Sequence, residues 1–225
     1  MSDITFRSDC RVEYVDSMGD DRRIAQAARV STNTDTSTRP HERLVRRLWE
    51  DGHTSPFEHN TLTVKASVPI FVAREWMRHR TQSYSEISAR YTQLQPKFYL
   101  PSRDRKIVQT GKALDYRREP GTIEQGVIVE KRHEWAAKEA WDGYQRMLEK
   151  GVANEVARNV LPVSVYTQFW ATANLNNWFK FLTLRDAPNA LAEIRWGAEQ
   201  VDALISELWP VAWRAFHDFK QQGEQ

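Results

Sequence analysis

The hydrophobic period of the chain changes abruptly at Pro69, and that change constrains the fold more than any other feature. Upstream, Leu62, Val64, Ala66 and Val68 alternate with Thr61, Thr63, Lys65 and Ser67, a period of two that predicts a half-buried strand over 59–68. Downstream, PIFVAREWMRHR (69–80) reads as a short apolar helix opened by a proline. A second alternation, Val163, Val165, Thr167, Phe169 and Ala171, predicts another strand. Helices are predicted from Asp21 to Val30 and from Pro40 to just before Gly52. A long helix should follow Gly121, because Thr122 and Gln125 have capping-box spacing and Gly151 stands beyond Lys150. Asn174 is placed to cap LNNWFKFLTLR. Leu191, Ile194, Ala198, Val201, Ile205 and Leu208 recur three or four apart, an apolar stripe that Pro210 interrupts. Strands and helices mix without a βαβ rhythm, so the fold class is α+β, a mixed sheet flanked by long helices.

At 225 residues the chain suits a single domain, 1–225, with a polar, proline-bounded surface excursion at about 101–121. Hydrophobic residues at 40% and charged residues at 28% exclude wholesale disorder. Lys and Arg total 32 against 30 Asp and Glu, a net charge of +2. Recognition of anions must then come from local arginine clusters, and no nucleic-acid partner is expected. The single cysteine, Cys10, excludes an internal disulfide and a multi-cysteine zinc site, and fits a reducing compartment. The opening MSDITFRSDCRVEY carries charge and no apolar signal-peptide core, and no run approaches the roughly 20 apolar residues of a membrane helix. A cytoplasmic protein without a membrane partner is expected.

The segment most suited to chemistry is Arg78-His79-Arg80 followed by Thr-Gln-Ser-Tyr-Ser-Glu-Ile-Ser-Ala-Arg90-Tyr91. It crowds Arg78, Arg80 and Arg90 around the hydroxyls of Ser83, Ser85 and Ser88, with Glu86 among them. Guanidinium forks and hydroxyls suit a phosphate or a planar imide, both of which present fixed acceptors. Arg74 and Arg78 are four apart and should share a helical face. The alternative for this segment is a solvated basic turn, but the cluster directly follows an apolar helix, where solvated faces are seldom needed. His53-Thr-Ser-Pro-Phe-Glu-His59 carries two histidines and a glutamate, yet its spacing matches no helical metal signature, so no metal is expected. These groups would hydrogen-bond a ligand or cap the following strand. The chain has neither a Gly-x-Ser-x-Gly elbow nor a glycine-rich phosphate loop. Arg158, Asn174, Asn176, Asn177 and Arg185 lie downstream. Taken singly, the two arginines also suit helix ends, where the macrodipole favours a cation.

Arg78-His79-Arg80, seven intervening residues and Ser88 together resemble the RHR-x7-S signature of the flavin-dependent thymidylate synthases. The same order of blocks continues in His53 to His59, Pro69 to Arg74, Arg90-Tyr91, Glu155 to Arg158 with Val160-Leu161-Pro162, and Asn174 to Arg185. The resemblance implies that family's fold, and C5-methylation of deoxyuridylate to thymidylate. Methylenetetrahydrofolate would supply the carbon, FAD would be the cofactor and NADPH the reductant. It also implies a homotetramer with shared active sites, which would let a chain without a dinucleotide loop hold FAD between copies. With Cys10 far along the chain from every matched block, no thiolate nucleophile is implied, and the pyrimidine would be activated electrostatically.

By position, the resemblance implies catalytic roles for Arg185 and Arg78. Arg185 would pair with the pyrimidine edge and stabilise charge at N3. Ser88, Arg90 and Arg158 match phosphate-binding positions, with Glu75, Ser83 and Glu86 also on the nucleotide. His53, Ser55, Arg78, His79, Arg80, Glu86, Asn174, Asn176 and Lys180 match positions at the flavin. Four departures stand out: Ser85 in place of the family's frequent asparagine, Glu75 in place of glutamine, Lys180 in place of asparagine or histidine, and Asp186-Ala-Pro-Asn189 in place of a stretch that commonly holds a histidine. Two other readings remain open at this stage. One is the same chemistry on another pyrimidine nucleotide, such as uridylate. The other is a non-catalytic nucleotide- or RNA-binding module, which would lack flavin and bind with strong salt dependence.

Overall fold

The structure, a computed structural model, describes residues 3–32, 40–112 and 115–223. In chain order its first elements are β1 (Thr5–Arg7), β2 (Arg11–Met18), α1 (Asp21–Arg29), α2 (Glu42–Glu50), β3 (Thr61–Pro69) and α3 (Ile70–Trp76). Then come β4 (Ser83–Glu86), β5 (Lys97–Tyr99), β6 (Val108–Lys112), β7 (Asp115–Glu119) and α4 (Ile123–Glu149). The chain ends with α5 (Asn154–Ala157), β8 (Tyr166–Asn174), α6 (Leu175–Arg185), α7 (Ala192–Leu208) and α8 (Pro210–Gly223). Four strands make one sheet in the order β2-β3-β8-β4, while β1 with β5 and β6 with β7 form two-stranded pairs. Helices and sheets thus combine without a βαβ repeat, the α+β class the pattern predicts. No helix among the described residues is long and apolar enough to cross a membrane.

The chain divides into two compact units. The first comprises Met1–Cys10, Ser67–Trp76 and Glu86–Phe169. Its core gathers Phe98, Ala137, Trp141, Tyr144, Ala157 and Val165, with Ile70, Leu94 and Leu161 packed against them. Helix α4 starts as predicted: Thr122 accepts from the Gln125 amide while the Gln125 side chain accepts from the Thr122 amide. It stops before Gly151, whose φ of 79° suits a residue without Cβ. The 101–121 excursion carries the antiparallel β6–β7 hairpin.

The second unit comprises Arg11–Ala66, Met77–Ser85 and Trp170–Gln225. Trp49, Phe57, Phe179 and Phe216 build its aromatic centre, with Phe179 stacked on Phe216 at 4.5 Å and Trp49 edge-on to both. The predicted stripe along α7 is buried at Ile194, Ala198, Val201 and Ile205. The interruption at Pro210 is the start of α8, whose first free amides, Val211 and Ala212, donate to the buried Asp21 carboxylate at 2.9 Å. Strand β3 buries Leu62, Val64, Ala66 and Val68 completely.

Four boundaries differ from the sequence pattern. Helix α2 begins at Glu42 rather than Pro40, with His41 at its N-cap. Strand β3 begins at Thr61, because Ser55–His59 coils into a 3-10 turn. Helix α3 stops at Trp76, so Arg78 does not share a helical face with Arg74. Beyond it the amides of Arg80 and Gln82 bond back to the Arg78 and His79 carbonyls, closing tight turns. Strand β8 runs over Tyr166–Asn174 rather than 163–171, because the carbonyls of Val163, Ser164 and Val165 accept from Phe71, Tyr99 and Ile70.

Gly19 lies where β2 turns into α1, at a φ of 90°, with the Asn60 side chain against its Cα face. A Cβ there would collide with the Asn60 amide oxygen. Gly19→Ala is expected to lower the unfolding free energy by about 2 kcal/mol or more, since left-handed strain and overlap add. A urea melt checks it; an unchanged midpoint would mean that Asn60 can yield.

Candidate active site

Helix α6 presents the second unit's polar groups. Its start is built by Asn174, whose Oδ1 accepts from the Asn177 amide at 2.9 Å, satisfying one of the free donors of the first turn. The helix is tied to β3 and the residue before it at two points: the Leu175 amide donates to the Asn60 carbonyl at 2.8 Å, and Trp178 Nε1 donates to the Leu62 carbonyl at 3.0 Å. One residue in from the cap, Asn176 is 2% exposed and donates from Nδ2 to Glu58 Oε1 at 2.9 Å. Glu58 belongs to the histidine-flanked block before β3, so that block does bond a polar group. His53 and Ser55 of the same block are exposed, and so is Lys180 on α6.

At the far end of α6, Arg185 is half-buried and donates from Nε to His79 Nε2 at 2.8 Å. His79 packs edge-to-face on Phe181, its ring 4.9 Å from the phenyl. The Tyr84 hydroxyl donates to the His79 carbonyl at 3.0 Å and approaches Gln82 Oε1 at 3.2 Å. Burial, aided by the Arg185 charge, pushes the His79 imidazole down to about 4. Burial also raises the Tyr84 phenol. The group therefore has one fixed cation and two neutral partners at neutral pH. Because the folded imidazole binds its proton more weakly than the unfolded one, its contribution to stability is present above pH about 6.5 and is lost as the pH falls toward 4. Arg78 and Arg80, on either side of His79, are exposed, as is Ser83 on β4.

In the first unit, Glu86 and Arg158 line one cavity of about 370 Å³, walled by Ile70, Leu94, Val165 and Tyr166. Thr167, also in its wall, donates to Glu86 Oε1 at 2.6 Å. Arg158 caps the short α5 at its C-terminal end, as a helix-terminal arginine should, and is half-buried. Ser88 Oγ accepts from the Arg90 amide at 3.3 Å, and the Ser88 carbonyl receives the Tyr91 and Thr92 amides, so the segment is a compact turn. Arg90 donates from Nε to Glu155 Oε2 at 3.1 Å and lies 5.5 Å from the centre of the exposed Tyr91 ring. Both partners of this ion pair are about half exposed, so it is worth well under about 1 kcal/mol and can be exchanged for a better anion. Glu75 is half-buried on α3. Cys10 is 5% exposed; distant in sequence from the matched blocks, it lies within electrostatic reach of Arg7 and Tyr166.

The sequence pattern does not single out Tyr84, Thr167, Glu155 or Phe181. Tyr84 sits in the polar stretch Thr81–Glu86 and Thr167 among the apolar positions of its alternation, and the sequence does not say which of them finds a hydrogen-bond partner. Glu155 stands in a matched block and could be found there. Phe181 reads as ordinary core.

The chain matches the family described as thymidylate synthase complementing protein over residues 13–211. It is 43% identical over 213 residues to a flavin-dependent thymidylate synthase of Thermus thermophilus, covering 94% of this chain and 77% of that one. The Streptomyces coelicolor enzyme of the same description is 43% identical over 230 residues, with 95% and 93% covered. Among solved structures, the UMP/dUMP methylase PolB from Streptomyces cacaoi superposes with a TM-score of 0.89 at 40% identity, covering 96% of this chain and 97% of that one. That structure holds 5-Br UMP, and a second one of the same protein, with a TM-score of 0.88, holds 5-Br dUMP. A family match over most of the length, joined to this identity and this fold, means that the chain belongs to the thymidylate synthase complementing protein family, the flavin-dependent thymidylate synthases.

Proposed function

We propose that this chain is a methyltransferase that methylates C5 of a pyrimidine nucleoside monophosphate, with deoxyuridylate as substrate and thymidylate as product. Methylenetetrahydrofolate is the carbon donor, FAD the cofactor and NADPH the reductant. The observation that carries this reading is Arg185: a half-buried guanidinium held by a neutral histidine, at the end of a helix whose inner face is apolar. C5 of uracil attacks carbon only if negative charge on the ring is stabilised, and a preorganised cation in a partly dry setting does that without a covalent protein adduct. Arg78 assists at the ring. Ser88, Arg90 and Arg158 hold the phosphate; Arg90 exchanges its exposed Glu155 partner for the dianion, while Arg158 meets it from the cavity wall. Glu75, Ser83 and Glu86 accept from or donate to the sugar.

The described residues suit a flavin dinucleotide held without a glycine-rich loop. Arg78 and Arg80 offer exposed forks for a diphosphate. His53, Ser55, His79, Glu86, Asn174, Asn176 and Lys180 add polar contacts; for Asn176 one of these already goes to Glu58. When bound, reduced FAD supplies the electron pair that turns a transferred methylene into a methyl group. Assembly as a homotetramer with shared sites is part of this proposal. Exposed Ile123, Ile128 and Trp135 along α4 supply apolar surface for such contacts.

The non-catalytic reading loses its support with family membership. The uridylate reading keeps one observation, the PolB structures holding bromo-analogues of both UMP and dUMP. Assaying deoxyuridylate and uridylate side by side separates the two. The expected kcat/KM favours deoxyuridylate; clear preference for the ribonucleotide would transfer the proposal to uridylate.

Arg185→Ala should reduce kcat by roughly 10²-fold or more, the scale of removing a preorganised charge stabiliser, while flavin absorbance shows FAD still bound. Turnover near the parent value would end the role given to Arg185. Cys10→Ala should leave kcat within about twofold, because the buried thiol lies outside the residues given roles at the nucleotide and the flavin. An inactive but folded variant would reinstate a thiolate mechanism.

A further inference from the structure

The bond between Arg185 and His79 has only one possible sense. A guanidinium Nε carries a hydrogen and has no lone pair to offer, so at 2.8 Å the imidazole Nε2 is the acceptor. His79 is therefore neutral, with its proton on Nδ1. Its surroundings keep it that way: the ring is half-buried, packed edge-to-face on Phe181, and the charge facing it is that of Arg185. Tyr84, the other titratable group against it, is a neutral phenol that bonds the His79 carbonyl and so anchors the backbone under the ring. A histidine between two arginines of a basic motif is thus used as a lone pair.

We propose that His79 is the positioning residue of Arg185: its bare Nε2 fixes the plane of the guanidinium, and only this Nδ1–H tautomer can do so. The inference rests on Arg185 acting at the pyrimidine. An arginine side chain has many rotamers, and a charge stabiliser works by not having to reorganise as the reaction proceeds. One Nε bond engages a single N–H of five and still removes rotation about the end of the side chain. The same imidazole then has Nδ1–H as its donor, the form in which it meets the flavin expected at this position.

The test reads the tautomer directly. In two-bond ¹H–¹⁵N spectra of the flavin-loaded, histidine-labelled enzyme, the six histidines give separate ring patterns, and the one lost in His79→Gln belongs to His79. At pH 7 it should show the Nδ1–H form and stay neutral to below pH 5. In Arg185→Ala it should revert toward the Nε2–H form and take up its proton at a higher pH than in the parent, while burial still holds it below the ordinary histidine value. In kinetics, His79→Gln keeps an acceptor for Arg185 while altering the flavin contact, and should retain clearly more of the parent kcat than His79→Leu, with bound FAD followed separately by flavin absorbance. His79→Leu, which fills the space without a lone pair, should lose about 10- to 100-fold in kcat with little change in nucleotide KM, the size of effect expected when a charge stabiliser is misplaced. A purely structural role would make Gln and Leu alike and leave the tautomer indifferent to Arg185. An Nε2–H or protonated His79 in an active enzyme overturns the positioning role alone. An intact Nδ1–H tautomer in a protein that methylates no pyrimidine overturns the functional reading, and the catalytic purpose of the pair with it.

Discussion

Two backbone acceptors of β3 and its approach, the carbonyls of Asn60 and Leu62, hold helix α6 in place, and the second unit's polar groups depend on that attachment. A helix end normally leaves its first amides to water. Here Asn174 satisfies one of them from its own side chain, and the Leu175 amide finds Asn60. The Trp178 indole, fully buried, has its single donor satisfied by Leu62, so its large apolar area is buried without an orphaned N–H. Phe179, Phe181 and Leu182 then bury the inner face. With the first turn of an eleven-residue helix so fixed and its inner face buried, Asn176 stands near its start and Arg185 at its end.

The charges follow the same economy. Four of the arginines carried from the family pattern have different settings: Arg78 exposed, Arg90 in an exposed ion pair, Arg158 in a cavity wall, Arg185 bonded to a neutral ring. Exposed pairs are screened and exchange easily, which suits the capture of a phosphate dianion. A bond from a half-buried guanidinium to a neutral acceptor does not itself neutralise the positive charge, as a bond to a carboxylate would. A carboxylate in the place of that imidazole would cancel the charge that ring activation needs. A neutral histidine orients the arginine and leaves it charged.

Much of the fold was legible because it depends on contacts near in sequence. The capping box at Thr122 and Gln125, the cap at Asn174 and the stripe from Ile194 to Ile205 all involve residues close together along the chain, and each stands where the pattern puts it. The boundary of β8 moved because distant backbone claims its carbonyls, whereas that of α3 moved because of tight local turns. Val163 and Val165 alternate like a strand, yet their carbonyls serve Phe71 and Ile70. Met77 continues an apolar helical run, yet the turns at Arg80 and Gln82 replace helical bonding there.

The amino-acid order alone determined the α+β class, the helix caps, the apolar faces and, through the RHR-x7-S spacing with its accompanying blocks, the family. These are recorded in short-range spacing, which any one segment carries by itself. Tertiary structure alone decided that His79 meets Arg185, 106 residues away, and that Asn176 meets Glu58, 118 residues away. It also decided that Thr167, 81 residues away, reaches Glu86. A hydrogen bond needs two groups within about 3 Å and aligned, and no local period encodes that between segments a hundred residues apart.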